Sequence, residues 1–358
     1  MEKKLRFCDF CIPEGPALSP KRPKKGAGVK KSQNLGFYDN IFVMSKKVLL
    51  SGIQPSGKPH IGNYFGLMKR IVDYQNEYTS YFFIADYHAL NSFRDKQTLK
   101  DNIIDIVIDY LAIGLDPEKS IIFKQSDVSE HTELAWIFET ITTMPYLERA
   151  HAYKDAKAKG KEINVGLFNY PMLMAADILL YNTNLVPTGR DQEQHVEIAR
   201  DTALKFNNAF GETFSLPVSK IAEIPVIPGT DGRKMSKSYD NTIPLFSEYD
   251  EIKKIVMSIV TDSGEGIPKN VYAIHNLLRP AKELLPIYES KVGKYKELKE
   301  LLIEDLEKFI APLREKRKEF EKDIPKALAI LKAGGEKAKK VASAKMDEVR
   351  EKVGVKVY

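Results

Sequence analysis

Two short segments far apart in the chain are built to hold phosphate: Pro55-Ser-Gly-Lys-Pro-His60-Ile-Gly62-Asn63 and Lys234-Met-Ser-Lys237-Ser238. The first, extended back through Gly52-Ile-Gln54, follows a short apolar strand pattern and leads into a helical pattern that opens near Gly62-Asn63. Glycines there let backbone approach a ligand. A helix start adds free N–H groups at the positive end of its dipole, which together suit a polyphosphate. His60 and the Asn63 amide can both donate to phosphate oxygens. In the second segment two lysines and the hydroxyls of Ser236 and Ser238 fall within five residues, enough to neutralise a pyrophosphate as charge builds on it. The bland alternatives are a capping or packed histidine in the first segment and a solvated linker in the second. The second lies between an α/β half and a helical half, where closure could bring it over the first, and that favours the phosphate role.

Asp177 is a third candidate, because it is the one carboxylate inside the apolar run Met172 to Leu180. Buried without a partner it would cost several kcal/mol, so it has one. It is either an internal salt bridge or helix cap, or the acceptor for a substrate's polar tip at the end of an aromatic pocket. An indole N–H and a tyrosine O–H would satisfy it equally.

These residues need elements to position them, and the chain alternates short apolar strands with longer amphipathic stretches. Strand patterns occur at Val48–Ser51, Tyr81–Ala85, Ile121–Lys124, Leu185–Pro187 and Pro225–Ile227. Helical patterns fall around Asn63–Gln75, Leu99–Ile113, His131–Thr143 and Gln192–Phe206. This repetition predicts an α/β fold, a doubly wound parallel sheet covered on both faces, with ligands at the carboxyl ends of its strands. Past Ser238 the strand patterns fade. Leu298, Leu301, Leu302, Leu306, Phe309, Ile310 and Leu313 recur at helical spacing, and Gly334-Gly335 is expected to break the run before a Lys-rich helix from about Glu336 to Val353.

At 358 residues and 43% hydrophobic the chain is long enough for two domains. No segment reaches the roughly 20 apolar residues a membrane helix needs. Residues 1–44 are rich in Pro, Gly and Lys without periodicity and are expected to be a disordered basic extension. Met44-Ser-Lys-Lys makes a second natural start, which raises the hypothesis that this tail is a mis-assigned extension. Cys8 and Cys11 are half a zinc site without a second half and read as incidental, so no metal site is expected and the reducing cytoplasm is the expected compartment. The net charge of +6 gathers at the two ends: residues 1–47 hold 11 Lys/Arg against 4 Asp/Glu, and residues 291–358 hold 19 against 13. A basic C-terminal region is compatible with a phosphate-backbone partner and equally with a solvated helical surface.

The two phosphate segments together resemble the HIGH-type and KMSKS signatures of class I aminoacyl-tRNA synthetases, over roughly residues 46–358. Tyr170-Pro-Met-Leu-Met174-Ala-Ala-Asp177-Ile-Leu-Leu-Tyr followed by Val186-Pro-Thr-Gly189-Arg190-Asp191-Gln192 is similar to the tryptophanyl-tRNA synthetases of the bacterial type. As is common in those enzymes, the first signature ends in Asn63 in place of a second histidine.

The resemblance implies a Rossmann-like catalytic domain over 45–240 and an all-helical region over 241–358 that recognises the tRNA anticodon. It implies ATP with Mg2+, L-tryptophan and tRNA(Trp) as partners, a homodimer and no membrane. ATP would be held by Gln54, Pro55, Ser56, Gly62 and Asn63, by Gly189, Arg190 and Asp191 at the ribose, by Val226 or its neighbour Ile227 at the adenine, and by Lys234, Met235, Ser236, Lys237 and Ser238. His60, Lys234 and Lys237 would be the catalytic residues. Asp177 would receive the indole N–H, with Met174 against the ring, Tyr170 and Gln192 on the amino group, and His88 lining the pocket. One departure stands out: Ala156 occupies the site where many bacterial members place a phosphate-contacting lysine, so either Lys154 or Lys157 substitutes or the ATP contact is made differently. A tyrosyl-tRNA synthetase and a non-catalytic RNA-binding paralogue are the rival readings.

Overall fold

The computed structural model describes residues 46–160, 162–189, 192–221, 227–261 and 266–358. The expectations for residues 1–44, Arg190, Asp191 and Val226 lie outside the described residues. Five parallel strands, β1 (Val48–Ile53), β2 (Thr79–Ile84), β3 (Ser120–Lys124), β4 (Leu185–Thr188) and β5 (Val218–Ile221), pair in the order β3-β2-β1-β4-β5. The order reverses between β1 and β4. Such a switch point opens a crevice at the strands' carboxyl ends, where doubly wound sheets bind ligands. β1 runs out into Gln54 and β4 into Gly189, so chain topology delivers the first phosphate segment and the Gly189–Gln192 stretch to one place.

Both faces of the sheet are covered, which is why the central strands are apolar without alternation. Along β2, Phe82 and Ile84 join a core with Met68, Ile71, Ile106 and Tyr110, whereas Tyr81 and Phe83 point into a second core with Phe123, Phe138 and Met172. The covering helices are α1, an unbroken run of Ile61–Asn63, a π-helical Tyr64–Met68 and Lys69–Tyr74, then α2 (Lys96–Ala112), α3 (Glu130–Thr140), α4 (Val165–Leu179) and α5 (Glu193–Phe210). None of the described helices is long and apolar enough to cross a membrane.

The fifth strand is not where the pattern put it. It is Val218–Ile221, and of the expected Pro225–Ile227 only Ile227 is described, its carbonyl accepting from the Met235 N–H at 2.9 Å outside the sheet. A four-residue edge strand with Ser219 and Lys220 in it, and Val218 exposed, carries too little apolar signal to be read from sequence.

Beyond the second phosphate segment the described chain is helical: α6 (Tyr249–Met257), α7 (Lys269–His275), α8 (Ala281–Ser290), α9 (Tyr295–Glu321) and α10 (Ile324–Lys352). On α9 Leu298, Leu302, Leu306 and Ile310 are fully buried, as their four-residue spacing requires. Gly334-Gly335, however, does not interrupt anything. α10 passes straight through both residues, because a Cβ on Gly334 would lie 1.8 Å from the Ile122 carbonyl oxygen. The glycines let the helix backbone press against β3 and cover that sheet edge; this contact offsets the roughly 1 kcal/mol that each costs in helix propensity. Gly334→Ala is expected to destabilise the fold by about 2–3 kcal/mol, since rigid backbone must shift to admit the methyl group; urea denaturation reads the loss directly.

Candidate active site

The first phosphate segment is held from beneath and from the side. Helix α2 supplies Asn102, whose Nδ2 donates to the Pro55 carbonyl at 3.1 Å. The backbone of Pro59–Ile61 is bracketed by the residues that follow the second segment: the Ile61 N–H donates to the Ile243 carbonyl and the Leu245 N–H to the Pro59 carbonyl, both at 3.0 Å. Asn63 accepts from the His60 N–H at 3.0 Å, so its amide oxygen closes the first turn and its NH2 is left for a ligand.

The second segment is shaped by Asn241, a buried residue not singled out in the sequence. Its Oδ1 accepts from the Ser236 N–H at 2.8 Å, while its Nδ2 donates to Asp231 at 2.7 Å and to the Lys234 carbonyl at 3.2 Å. The two segments already touch. Lys237 Nζ donates to the carbonyls of Ser56 and Gly57 at 3.1 and 2.9 Å, and Met235 is buried close above Gly62, where a Cβ would come within 3.3 Å of its sulfur and 2.8 Å of the His60 ring. Lys234, Lys237 and Ser238 are exposed, and Gln54 and Ser56 are exposed beside them.

His60 is buried, with Nδ1 lacking a hydrogen-bond partner among the described residues. Burial lowers its pKa to about 4, helped by the charge of Lys237, so at neutral pH the ring is uncharged and donates from one nitrogen at most. An unfolded histidine titrates near 6.5, and the folded ring takes up its proton only near pH 4. The stability owed to the neutral ring is therefore complete above pH 6.5 and is lost as pH falls toward 4. His60→Asn is expected to flatten the decline in urea-unfolding free energy over that interval; an unchanged slope would remove His60 as its source.

Beneath Ser56, Gly57 and Lys237 a cavity of about 40 Å3, room for a water or two, is closed by Asp109 of α2. Asp109 is 1% exposed, accepts from Arg317 Nε of α9 at 2.6 Å, and has a second oxygen unpartnered among the described residues. Burial pushes its pKa up to about 6 against the pull of Arg317. A carboxylate so close to the second segment's lysine was not legible in sequence, because Asp109 and Arg317 meet only through the packing of α2 on α9.

Helix α4 builds the other side of the crevice. Tyr170, Met174 and Asp177 fall at i, i+4 and i+7 and so share one helical face. Tyr170 Oη and His195 Nε2 of α5 are hydrogen-bonded, and His195 Nδ1 contacts Gln192 Oε1 at 2.7 Å; one imidazole thus links the two residues expected at an amino group. Gln192 is exposed at the start of α5, with its N–H on the Gly189 carbonyl at 3.0 Å.

Asp177 is 1% exposed, with hydrogen bonds from His88 and Gln125 and a closer ion-pair contact with His131. His88 Nε2 lies 2.9 Å from Oδ2, Gln125 Nε2 donates to both oxygens at 2.8 and 3.0 Å, and His131 Nδ1 lies 2.6 Å from Oδ1. Burial would raise the carboxyl, but His131 and His88 overcome it and hold Asp177 well below the usual carboxylate range. Gln125 and His131 carried no sequence signal: each is a lone polar residue whose role depends on β3 and α3 lying beside α4.

Comparison with known proteins bears directly on this arrangement. The model of the family described as tRNA synthetases class I (W and Y) matches residues 45–328. The chain belongs to that family. The tryptophan–tRNA ligase of Fusobacterium nucleatum is 48% identical over 316 residues, 86% of this chain and 97% of its own length. That of Campylobacter jejuni is 47% identical over 317 residues, with 86% and 99% covered. The crystal structure of the Campylobacter jejuni tryptophanyl-tRNA synthetase complexed with ADP and tryptophan superposes with a TM-score of 0.81 at 46% identity, covering 86% of this chain and 99% of that one. The two segments that resemble the family's signatures, Pro55–Asn63 and Lys234–Ser238, are in contact just beyond the carboxyl end of β1.

Proposed function

We propose that the chain is a tryptophan–tRNA ligase that activates L-tryptophan with ATP and transfers it to tRNA(Trp). The carrying observation is the single face of α4 that places Tyr170 and Met174 beside a buried, ionised Asp177, within the crevice where the two class I signatures meet. The tryptophan carboxylate attacks the α-phosphorus of ATP and pyrophosphate departs, leaving tryptophanyl-adenylate. A hydroxyl of the tRNA's terminal ribose then attacks the acyl carbon, AMP leaves, and the hydroxyl proton passes to solvent or phosphate. No protein nucleophile takes part.

This chain's residues bind and orient. Gln54, Ser56, Gly62 and Asn63 line the path of the phosphates, and Lys237 exchanges two neutral carbonyls for pyrophosphate oxygens as charge develops there. Mg2+ would arrive with ATP and offset phosphate charge there; among the described residues no group of three or more His, Cys, Asp or Glu side chains is placed to hold an ion by itself. Tyr170 and Gln192 accept from the substrate ammonium, Met174 lies along the ring, and Asp177 accepts from its N–H. Gly189, Arg190, Asp191 and Val226 are assigned to the ribose and adenine by resemblance. The basic helix α10 suits the tRNA backbone, and the exposed Trp136, Met144 and Val165 suit a second copy of the chain in a homodimer. The cytoplasm is the compartment proposed.

ATP–pyrophosphate exchange tests the reading with each amino acid in turn. Tryptophan is expected to support exchange; stimulation by tyrosine but not tryptophan would overturn the substrate, and none with any amino acid would overturn the activity.

A further inference from the structure

We propose that His131 is a positioning residue for the Asp177 carboxylate, and through it a determinant of selectivity for amino acids whose ring carries an N–H. The inference rests on the tryptophan reading above and deepens it.

A carboxylate offers two oxygens and about four lone-pair positions. At Asp177 hydrogen bonds come from Gln125 twice and His88, and the remaining approach is taken by His131, whose Nδ1 lies 2.6 Å from Oδ1 in ion-pair contact but out of line for a hydrogen bond. The donors differ in placement. His88 borders the Tyr170 ring, with centroids 6.1 Å apart, and retains some exposure, whereas Gln125 and His131 have none. A ligand N–H arriving along the Tyr170 face therefore takes the place of His88 at Oδ2. Gln125 and His131 remain to hold the carboxylate.

Gln125 is itself oriented, since its Oε1 accepts from the His88 N–H at 3.3 Å and its Nε2 is thereby turned to Asp177. His131 is fixed more firmly. Its ring sits among Phe83, Phe123 and Tyr181, at centroid separations of 6.2, 6.2 and 5.6 Å. The Tyr181 hydroxyl lies 2.8 Å from Nε2, and burial makes that hydroxyl far harder to ionise than usual. Its hydrogen is available to Nε2, and a hydrogen on Nδ1 then lies on the side of Asp177. The chain Tyr181–His131–Asp177 thus keeps the carboxylate ionised and in one orientation while His88 is exchanged for substrate. Without the His131 donor, a buried carboxylate shifts toward its protonated form and becomes a poorer acceptor. Only ligands that donate to Asp177 lose affinity in that event.

The test uses the full chain in pyrophosphate exchange, with L-tryptophan and with L-3-(3-benzothienyl)alanine, which carries sulfur where tryptophan has N–H. The analogue is scored as substrate or as competitive inhibitor. His131→Leu is expected to raise KM for tryptophan about 10- to 30-fold, to move the analogue's constant less than about 3-fold, and to leave kcat and KM for ATP near wild type. His131→Asn, whose amide nitrogen reaches the position of Nδ1, is expected to recover most of the loss. Equal increases for both ligands, or no increase for either, would overturn the proposal and leave His131 as packing alone. If His131→Leu does not fold, the pair His131→Asn and His131→Gln decides, because glutamine reaches the Nε2 position and should lose selectivity where asparagine keeps it; equal behaviour of the two overturns the proposal. Failure of the underlying reading appears separately, in wild-type protein that exchanges with tyrosine and not with tryptophan.

Discussion

Asparagine at position 177 is expected to lower kcat/KM for tryptophan by about 100- to 1,000-fold, most of it in KM. The substitution keeps the shape of the side chain and removes its charge. It also turns one acceptor into an NH2 donor inside a ring of donors, His88, Gln125 and His131, so at least one donor–donor contact replaces a hydrogen bond. The substrate's N–H then meets a weaker acceptor or none. Alanine is a poorer probe, because deleting the carboxylate leaves the buried His131 and Gln125 facing an apolar void, a loss of about 3–5 kcal/mol that would confound folding with binding. Exchange kinetics on a variant whose urea-unfolding midpoint stays near wild type make the measurement clean. An unchanged KM in folded Asp177→Asn would take Asp177 out of the pocket.

Lys237→Ala is expected to lower kcat for tryptophan activation by about 100- to 1,000-fold with little change in KM for ATP, because its charge is felt most where the leaving pyrophosphate gathers electrons. The ammonium rests on the carbonyls of Ser56 and Gly57, neutral acceptors at an exposed position, so its removal costs the fold little. Rapid-quench measurement of pyrophosphate release in a single turnover isolates the step. A rate within about 3-fold of wild type would show that Lys234 or another group carries the charge. Closure was expected to bring the second segment over the first; in the structure the two are in contact through Lys237 and Met235.

Several features were legible because they are local. The alternation of strand and helix, the Gly-rich turn before His60 and the lone carboxylate in an apolar helix are each patterns within about ten residues, and four of the five strands lie where those patterns put them. The misplaced fifth strand and the misread Gly334-Gly335 have a common cause. Val218–Ile221 is a strand because β4 is beside it, and Gly334 belongs to a helix because β3 is beneath it; neither neighbour is visible along the chain. The same holds for Asn102, Asp109, Asn241, Gln125, His131 and His195, ordinary polar residues whose roles come from what packs against them.

Read alone, the chain specifies the reaction class, since phosphate chemistry needs glycines, hydroxyls and lysines at short spacing, and it specifies a carboxylate for the substrate ring. Tertiary structure decides how that carboxylate is held and where the signatures meet. Lys237 reaches a carbonyl 181 residues away, and Asp177 takes its donors from 52 and 89 residues away. Contacts at such separations are set by the order of strands in the sheet and the register of helices on its two faces, and a burial pattern along one element constrains only which of its own sides is covered.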